Sequence, residues 1–200
     1  TVRKIIVTFI SLLFCSVVWA ISSPVDLLQN TSSQLIAQLR QNQATMRTKP
    51  QVVYGIVNQI LLPHVDLIAM SREALGRDAW AQATPQQRQA FVYHFTTLLI
   101  RTYASALAQY TNERVNFLPL RGGFNGSRVQ VNSNIIRESG PIINVSYRLR
   151  RVGEQWKLYD FSVDGISLIQ SFRSQFAQEL QQRGIDGLIN ELAQHNVQNN

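Results

Sequence analysis

Cysteine is almost missing from this chain of 200 residues, with Cys15 the single example. One thiol cannot close an intramolecular disulfide, so no covalent staple holds the fold, and no Cys-x-x-Cys pair exists for redox chemistry or zinc. Histidine is scarce as well. His64, His94 and His195 fall in no His-Glu-x-x-His or His-x-His spacing, which excludes the common zinc motifs. There is no Gly-x-Ser-x-Gly elbow and no phosphate-binding loop, so the signatures of serine hydrolases and of P-loop nucleotide enzymes are lacking too. Charged residues make up 16% of the chain against 45% hydrophobic, with ten glycines and six prolines. That balance is globular, neither disordered nor fibrous, and the length suits one domain.

Long apolar runs are also missing, with one exception at the start. Arg3 and Lys4 precede a largely apolar stretch, Ile5 to Trp19, that ends in Val18-Trp19-Ala20. A positive leader, a short apolar run and small residues at the −3 and −1 positions read as a secretory signal peptide cleaved after Ala20. The run falls short of the about 20 apolar residues that span a bilayer. Phe14 stands before Cys15 where a lipoprotein signal needs a small residue. The expected organisation is therefore a signal peptide over 1–20 and a single domain over 21–200. Removal of Cys15 leaves a mature chain free of cysteine, stabilised by its core alone, which fits a bacterial periplasm better than a eukaryotic secretory route. In such a host the three Asn-x-Ser/Thr sequons at Asn30, Asn125 and Asn144 carry no meaning.

What is present is organised by periodicity. Leu28, Leu35, Ile36 and Leu39 give helical spacing from Val25 to about Met46, and Val52, Val53, Ile56, Val57 and Ile60 do so between Pro50 and Pro63. A short segment from Asp66 to Leu75 ends at Gly76. Thr84-Pro85-Gln86-Gln87 is a capping box, and Phe91, Phe95, Leu98, Leu99, Tyr103 and Leu107 then recur mostly at three and four. This predicts a helix over about 85–110, roughly 39 Å long. After it the period drops to two. Val115–Phe117, 127–136, 141–152 and 155–163 predict a four-stranded antiparallel meander, with a glycine-rich loop at 121–127. Ser133 is the one polar residue in an otherwise apolar row. Ser167 with Gln170 spells a second capping box, Gly184 ends that helix, and Leu188, Ile189 and Leu192 mark a last short one. The fold class is α+β: N-terminal helices, a curved sheet, then C-terminal helices.

Catalytic constellations are weak. Asp160 and Asp164 could form an acid–base pair, but a turn role for Asp164 and an arginine partner for Asp160 account for them better. A formal charge of +7 suits an acidic partner or an anionic surface. Arg148 and Arg150 would make a basic stripe if the even face of the third strand is outward, a candidate contact for a partner or a headgroup, with Arg151, Arg121 and Arg128 nearby. Aromatics are not interleaved with these arginines, so nucleic acid is not the expected partner. On the last strand Trp156 and Leu158 point one way and Phe161 and Val163 the other, so either both sheet faces are covered or a bulge near Tyr159-Asp160 switches the face. A curved sheet wrapped by a long helix is a good way to leave an apolar pocket, although periodicity does not distinguish a filled core from a hollow one.

Two stretches resemble the MlaC family of toluene-tolerance auxiliary transport proteins. The first holds Leu62-Pro63, Asp66, Leu75-Gly76, Trp80, Ala83-Thr84, Gln87, Phe91, Leu98-Leu99 and Thr102-Tyr103. The second holds Trp156-Lys157, Asp160, Gly165-Ile166-Ser167-Leu168, Phe172-Arg173 and Phe176. Asp78-Ala79 makes the loop before Trp80 one residue longer than the family pattern. The resemblance implies a periplasmic phospholipid carrier of a Gram-negative bacterium, with bound phospholipid as cargo and no cofactor. It would shuttle glycerophospholipid between an outer-membrane lipoprotein–porin complex and an inner-membrane ABC transporter with a lipid-binding ring, and so maintain outer-membrane asymmetry. It also implies a nuclear-transport-factor-2-like cone with an apolar cavity.

On these grounds the expected lipid lining is Phe95, Leu99, Tyr103 and Leu107 on the long helix and Tyr147, Leu149, Phe161 and Val163 on the sheet. Ile166, Ile169 and Phe172 complete the mouth or floor. The chain is expected to be a monomer, not an enzyme, and without a metal. A periplasmic adaptor with a filled core, binding proteins only, is the competing reading.

Overall fold

The computed structural model describes residues 23–109, 113–120, 122 and 126–198. The expected signal peptide, with Cys15, lies outside them, as do Arg121 and Asn125.

Helices come first. α1 (Pro24–Gln41) starts at Ser23, whose Oγ accepts from the Val25 N–H, with proline in the first turn. The single helix expected to run to about Met46 is in fact two, because α2 (Gln43–Thr48) begins after a break at Asn42. Asn42 competes with the helical ladder by donating from its side chain to the Gln38 carbonyl. α3 (Val52–Ile60) runs into a 3-10 turn at Leu62–His64. α4 (Leu67–Leu75) is capped by Asp66, which accepts from the Ala69 N–H at 2.9 Å. Gly76 ends it at φ 91, a conformation open to glycine, and α5 (Arg77–Gln82) follows at once. That short helix carried no sequence signal, since six residues hold too few turns to show a period.

α6 (Pro85–Ala108) is the expected long helix. Its capping box is reciprocal: the Thr84 N–H donates to Gln87 Oε1 at 2.9 Å and the Gln87 N–H to Thr84 Oγ1 at 3.2 Å.

The sheet has five strands, not four, in the order β1 (Arg114–Phe117), β2 (Arg128–Ile136), β3 (Ile143–Val152), β4 (Gln155–Val163) and β5 (Ile166–Ser167), all antiparallel. The extra strand comes from the Asp164-Gly165 corner. Both residues take positive φ, 47 and 85, as a two-residue hairpin turn of the primed class requires. The chain therefore doubles back to pair Val163 with Ile166 before any helix begins.

α7 (Leu168–Gln198) is two helical runs joined at Gly184, whose φ of 66 and ψ of −171 break the ladder. The buried side chains form three clusters. One joins α4, α6 and α7 around Phe91, Phe95, Phe172 and Phe176. A second joins α1, α2, α3 and α6 around Leu39, Val53 and Ala104. The third seats the sheet, through Val131, Leu149, Trp156 and Leu158, against Leu27 and Leu28 of α1.

Candidate functional site

A β-bulge decides which side chains reach the interior. Tyr147 pairs with Phe161 and Arg148 with Asp160, but Leu149 pairs with Leu158. Tyr159 is therefore the extra residue, where the sequence left a bulge as one of two options. Its insertion returns Trp156, Leu158, Phe161 and Val163 to a single face. Val131, Ser133, Tyr147 and Leu149 share that face through the β2–β3 register. Ser133 is buried there and hydrogen-bonds Tyr147 Oη at 3.2 Å, which satisfies the polar atom in the apolar row. Burial pushes the Tyr147 phenol pKa above its usual value, and the Ser133 bond opposes that in part.

Where β4, α3, α4 and α6 converge, an almost wholly apolar cavity of about 280 Å³ remains. Leu99, Tyr103, Leu107 and Phe161 line it, together with Val57, Leu61 and Leu62 below and Leu67, Met70, Leu158 and Leu168 around it. Thr96 and Tyr103 are the polar residues of the lining. Tyr103, Phe161 and Leu168 also line a second, open groove of about 960 Å³ between β4, β5, α6 and α7. Val163, Ile166 and Phe172 belong to that groove, and Ile166 is 69% exposed although it is aliphatic. The Tyr103 and Phe161 rings meet edge to face, 6.2 Å between centroids, at the boundary of the two spaces. Partial burial raises the Tyr103 phenol pKa above its usual value.

Of the expected lining, Phe95, Ile169, Leu149 and Tyr147 lie elsewhere. Phe95 and Ile169 sit in the helical core, with Phe95 against Phe91, Phe172 and Phe176. Leu149 is fully buried in the cluster under α1, and Tyr147 packs on Phe117 in the same cluster. Periodicity placed all four on the correct inner faces, but which inner residues border empty space follows from how the helices lean. The contributions of α3, α4 and the 3-10 turn were missed for the same reason. Val57 and Leu61, one helical turn apart, were visible only as an apolar face.

Arg148 and Arg150 do stand on the polar face of the sheet, and each has a carboxylate partner. Arg150 Nε pairs with Asp66 at 2.9 Å and Arg148 Nη1 with Asp160 at 3.5 Å. Asp160 is 3% exposed and also accepts from Ser167 Oγ at 2.8 Å and the Ile169 N–H at 3.3 Å. It thus ties the bulged strand to the first turn of α7, which is a structural task. The Ser167 half of the second capping box is present, with Gln170 N–H donating to Ser167 Oγ. Asp164 accepts from the Asn144 N–H at 3.0 Å and holds the hairpin corner. Among the described residues no group of three or more His, Cys, Asp or Glu side chains is placed to hold a metal. Among the same residues no helix is long and apolar enough to cross a membrane.

This arrangement, an apolar chamber that meets a wide groove at an aromatic pair, can sequester a hydrophobic ligand. Comparison with known proteins finds relatives over most of the chain. Residues 29–194 match the family model described as MlaC protein. The toluene tolerance protein ttg2D of Pseudomonas putida is 31% identical over 180 residues, 87% of this chain and 83% of that protein. The intermembrane phospholipid transport system binding protein MlaC of Haemophilus influenzae is 28% identical over 194 residues, 94% of this chain and 90% of that one. Among solved structures, the phospholipid-binding protein of Ralstonia solanacearum, in complex with a phospholipid, superposes with a TM-score of 0.82 at 30% identity. That match covers 89% of this chain and 99% of the other. With the family model spanning most of its length and a relative 31% identical over 87% of it, this chain belongs to the MlaC family.

Proposed function

We propose that the protein is a soluble periplasmic carrier that encloses the acyl chains of a glycerophospholipid and moves it between membranes without covalent chemistry. One observation carries the reading: the apolar cavity and the open groove meet at Tyr103, Phe161 and Leu168. Two acyl chains hold about 30 methylenes, each worth about 0.8 kcal/mol of burial, so exposing them to water costs on the order of 24 kcal/mol. A shuttle must supply a dry interior to offset that. At about 30 Å³ per methylene-sized group, a cavity of about 280 Å³ holds roughly a third of one phospholipid's tail volume. The tails must therefore extend past Tyr103 and Phe161 into the groove, or the helices must part to widen the chamber.

The phospholipid complex of the Ralstonia relative and the phospholipid-transport name of the Haemophilus one support this cargo. The finer parts of the proposal follow from the family reading. These are the exchange with an outer-membrane lipoprotein–porin complex and an inner-membrane ABC transporter with a lipid-binding ring, the net effect on outer-membrane asymmetry, and a cone-like wrapping of the sheet. The bulge at Tyr159, which bends β4, supports the last. Arg148 and Arg150, on the polar sheet face with charge partly neutralised, remain the proposed partner contacts.

Lipid extraction and native mass spectrometry of protein purified from a Gram-negative host test the cargo. The expected result is one or more co-purified phospholipids, and uptake of a fluorescent phospholipid from liposomes by the delipidated protein. Protein that is free of lipid and takes none from liposomes overturns the carrier reading in favour of a protein-binding adaptor.

A further inference from the structure

The apolar cavity has a second boundary along α6. Leu67, Thr96 and Ile100 line the cavity and also a separate groove of about 870 Å³ bordered by α3, α4, α5 and α6. Pro85, Arg88, Val92, Tyr93, Thr96 and Ile100 run along its α6 side at three- and four-residue steps. From Arg88 to Ile100 that is twelve residues, about 18 Å. The groove wall leaves two large apolar side chains in water, with Ile68 62% and Tyr93 67% exposed.

Its electrostatics oppose those of the groove at the strand–helix corner. That groove is lined by Asp164, Glu179 and Glu191 and, among the described residues, by no lysine or arginine. The groove along α6 is lined by Arg88 and Arg101 and, among the described residues, by no carboxylate. Arg88 is held in place: Nε donates to the Trp80 carbonyl at 2.9 Å, Nη2 to the Ala81 carbonyl at 3.2 Å, and the guanidinium lies over the Trp80 ring. These bonds fix a cation whose remaining N–H donors are available to an anion.

We propose that this groove is a second lipid site, distinct from the diacyl chamber, and that it takes a single-chain anionic amphiphile. The anionic head sits at Arg88, at the α5–α6 corner, and the chain lies along α6 past Val92, Tyr93 and Ile68 towards Leu67 and Ile100. Charge complementarity selects the anionic head. The largely apolar lining of the groove, with Leu67 and Ile100 shared with the cavity, favours an acyl chain over a protein segment. The recognising chemistry is one chain with one anionic head, which either a fatty acid carboxylate or the phosphate of a lysophospholipid supplies.

The test is titration of the full protein with cis-parinaric acid, a fluorescent fatty acid, before and after loading with a diacyl phospholipid. Saturable binding that survives loading is expected. The double substitution Ile68→Asp, Tyr93→Asp changes exposed side chains that do not line the apolar cavity. It should weaken parinarate by about tenfold or more while leaving diacyl loading unchanged. Arg88→Gln should weaken the acid and bring it level with the matching fatty alcohol, which otherwise competes about tenfold less well. Lysophosphatidic acid should also compete, and the tighter of the two anions identifies the source. Loss of parinarate binding on diacyl loading, no effect of the double substitution, or an alcohol as good as the acid in the unaltered protein overturns the proposal. If the protein takes no diacyl lipid, the carrier reading fails on its own, and the parinarate titration still decides this site.

Discussion

Asp160 and Ile166 sit six residues apart and answer different demands. Asp160 is a nearly buried carboxylate that accepts from Ser167 Oγ, the Ile169 N–H and Arg148. Removing it strands two buried donors, so Asp160→Ala should cost about 2–4 kcal/mol in urea-unfolding free energy. Asp160→Asn, which keeps an acceptor, should cost less. Ile166 is 69% exposed and lines the open groove. Ile166→Glu should change stability by less than about 0.5 kcal/mol, yet it places a charge where an acyl chain would lie. Phospholipid recovered per protein should fall sharply for Ile166→Glu at an unchanged unfolding midpoint. Equal lipid content in both proteins would remove Ile166 from the lining.

Elements show the same division between local and distant causes. The capping box at Thr84, the Gly76 stop and the Gly184 break were legible because each is a short-range backbone requirement. The fifth strand was legible in principle, since Asp-Gly between apolar runs is a strong hairpin signal, but the helix that follows after two residues masked it. Gly184 permits a testable case. It holds φ 66 and redirects the chain so that Leu188 and Leu192 reach the cluster around Phe91 and Phe95. Gly184→Ala should lower stability by about 1–2 kcal/mol, read by thermal or urea unfolding. Unchanged stability would mean that the break is not held by the packing of the second helical run.

At the scale of the whole molecule, three apolar clusters frame an almost wholly apolar space between β4, α3, α4 and α6. A cavity that small cannot hold two full tails, so loading must carry them past Tyr103 and Phe161 into the groove or part the surrounding helices. A ligand held only by the folded state stabilises it by mass action, by about 2.7 kcal/mol at a hundredfold excess over Kd. For a chain of this size that corresponds to about 5–10 °C in melting temperature. Delipidated protein should therefore melt lower by about that amount and recover when phospholipid is returned. A melting temperature indifferent to lipid contradicts enclosure of the tails.

The sequence by itself determined the α+β class, most caps and breaks of the helices, the alternation of the strands and, through two ordered motifs, the family. These depend on backbone chemistry and on the 3.6 and 2 periods, which are local. Only the tertiary structure decided that Tyr159 bulges and so returns Phe161 and Val163 to the face of Leu158. It likewise decided that Leu99, Tyr103, Leu107 and Phe161 border a cavity while Phe95, Leu149 and Ile169 fill core. Periodicity reports which way a side chain points. Whether it meets another side chain or a void depends on the lean of helices far away in sequence, and no local pattern encodes that.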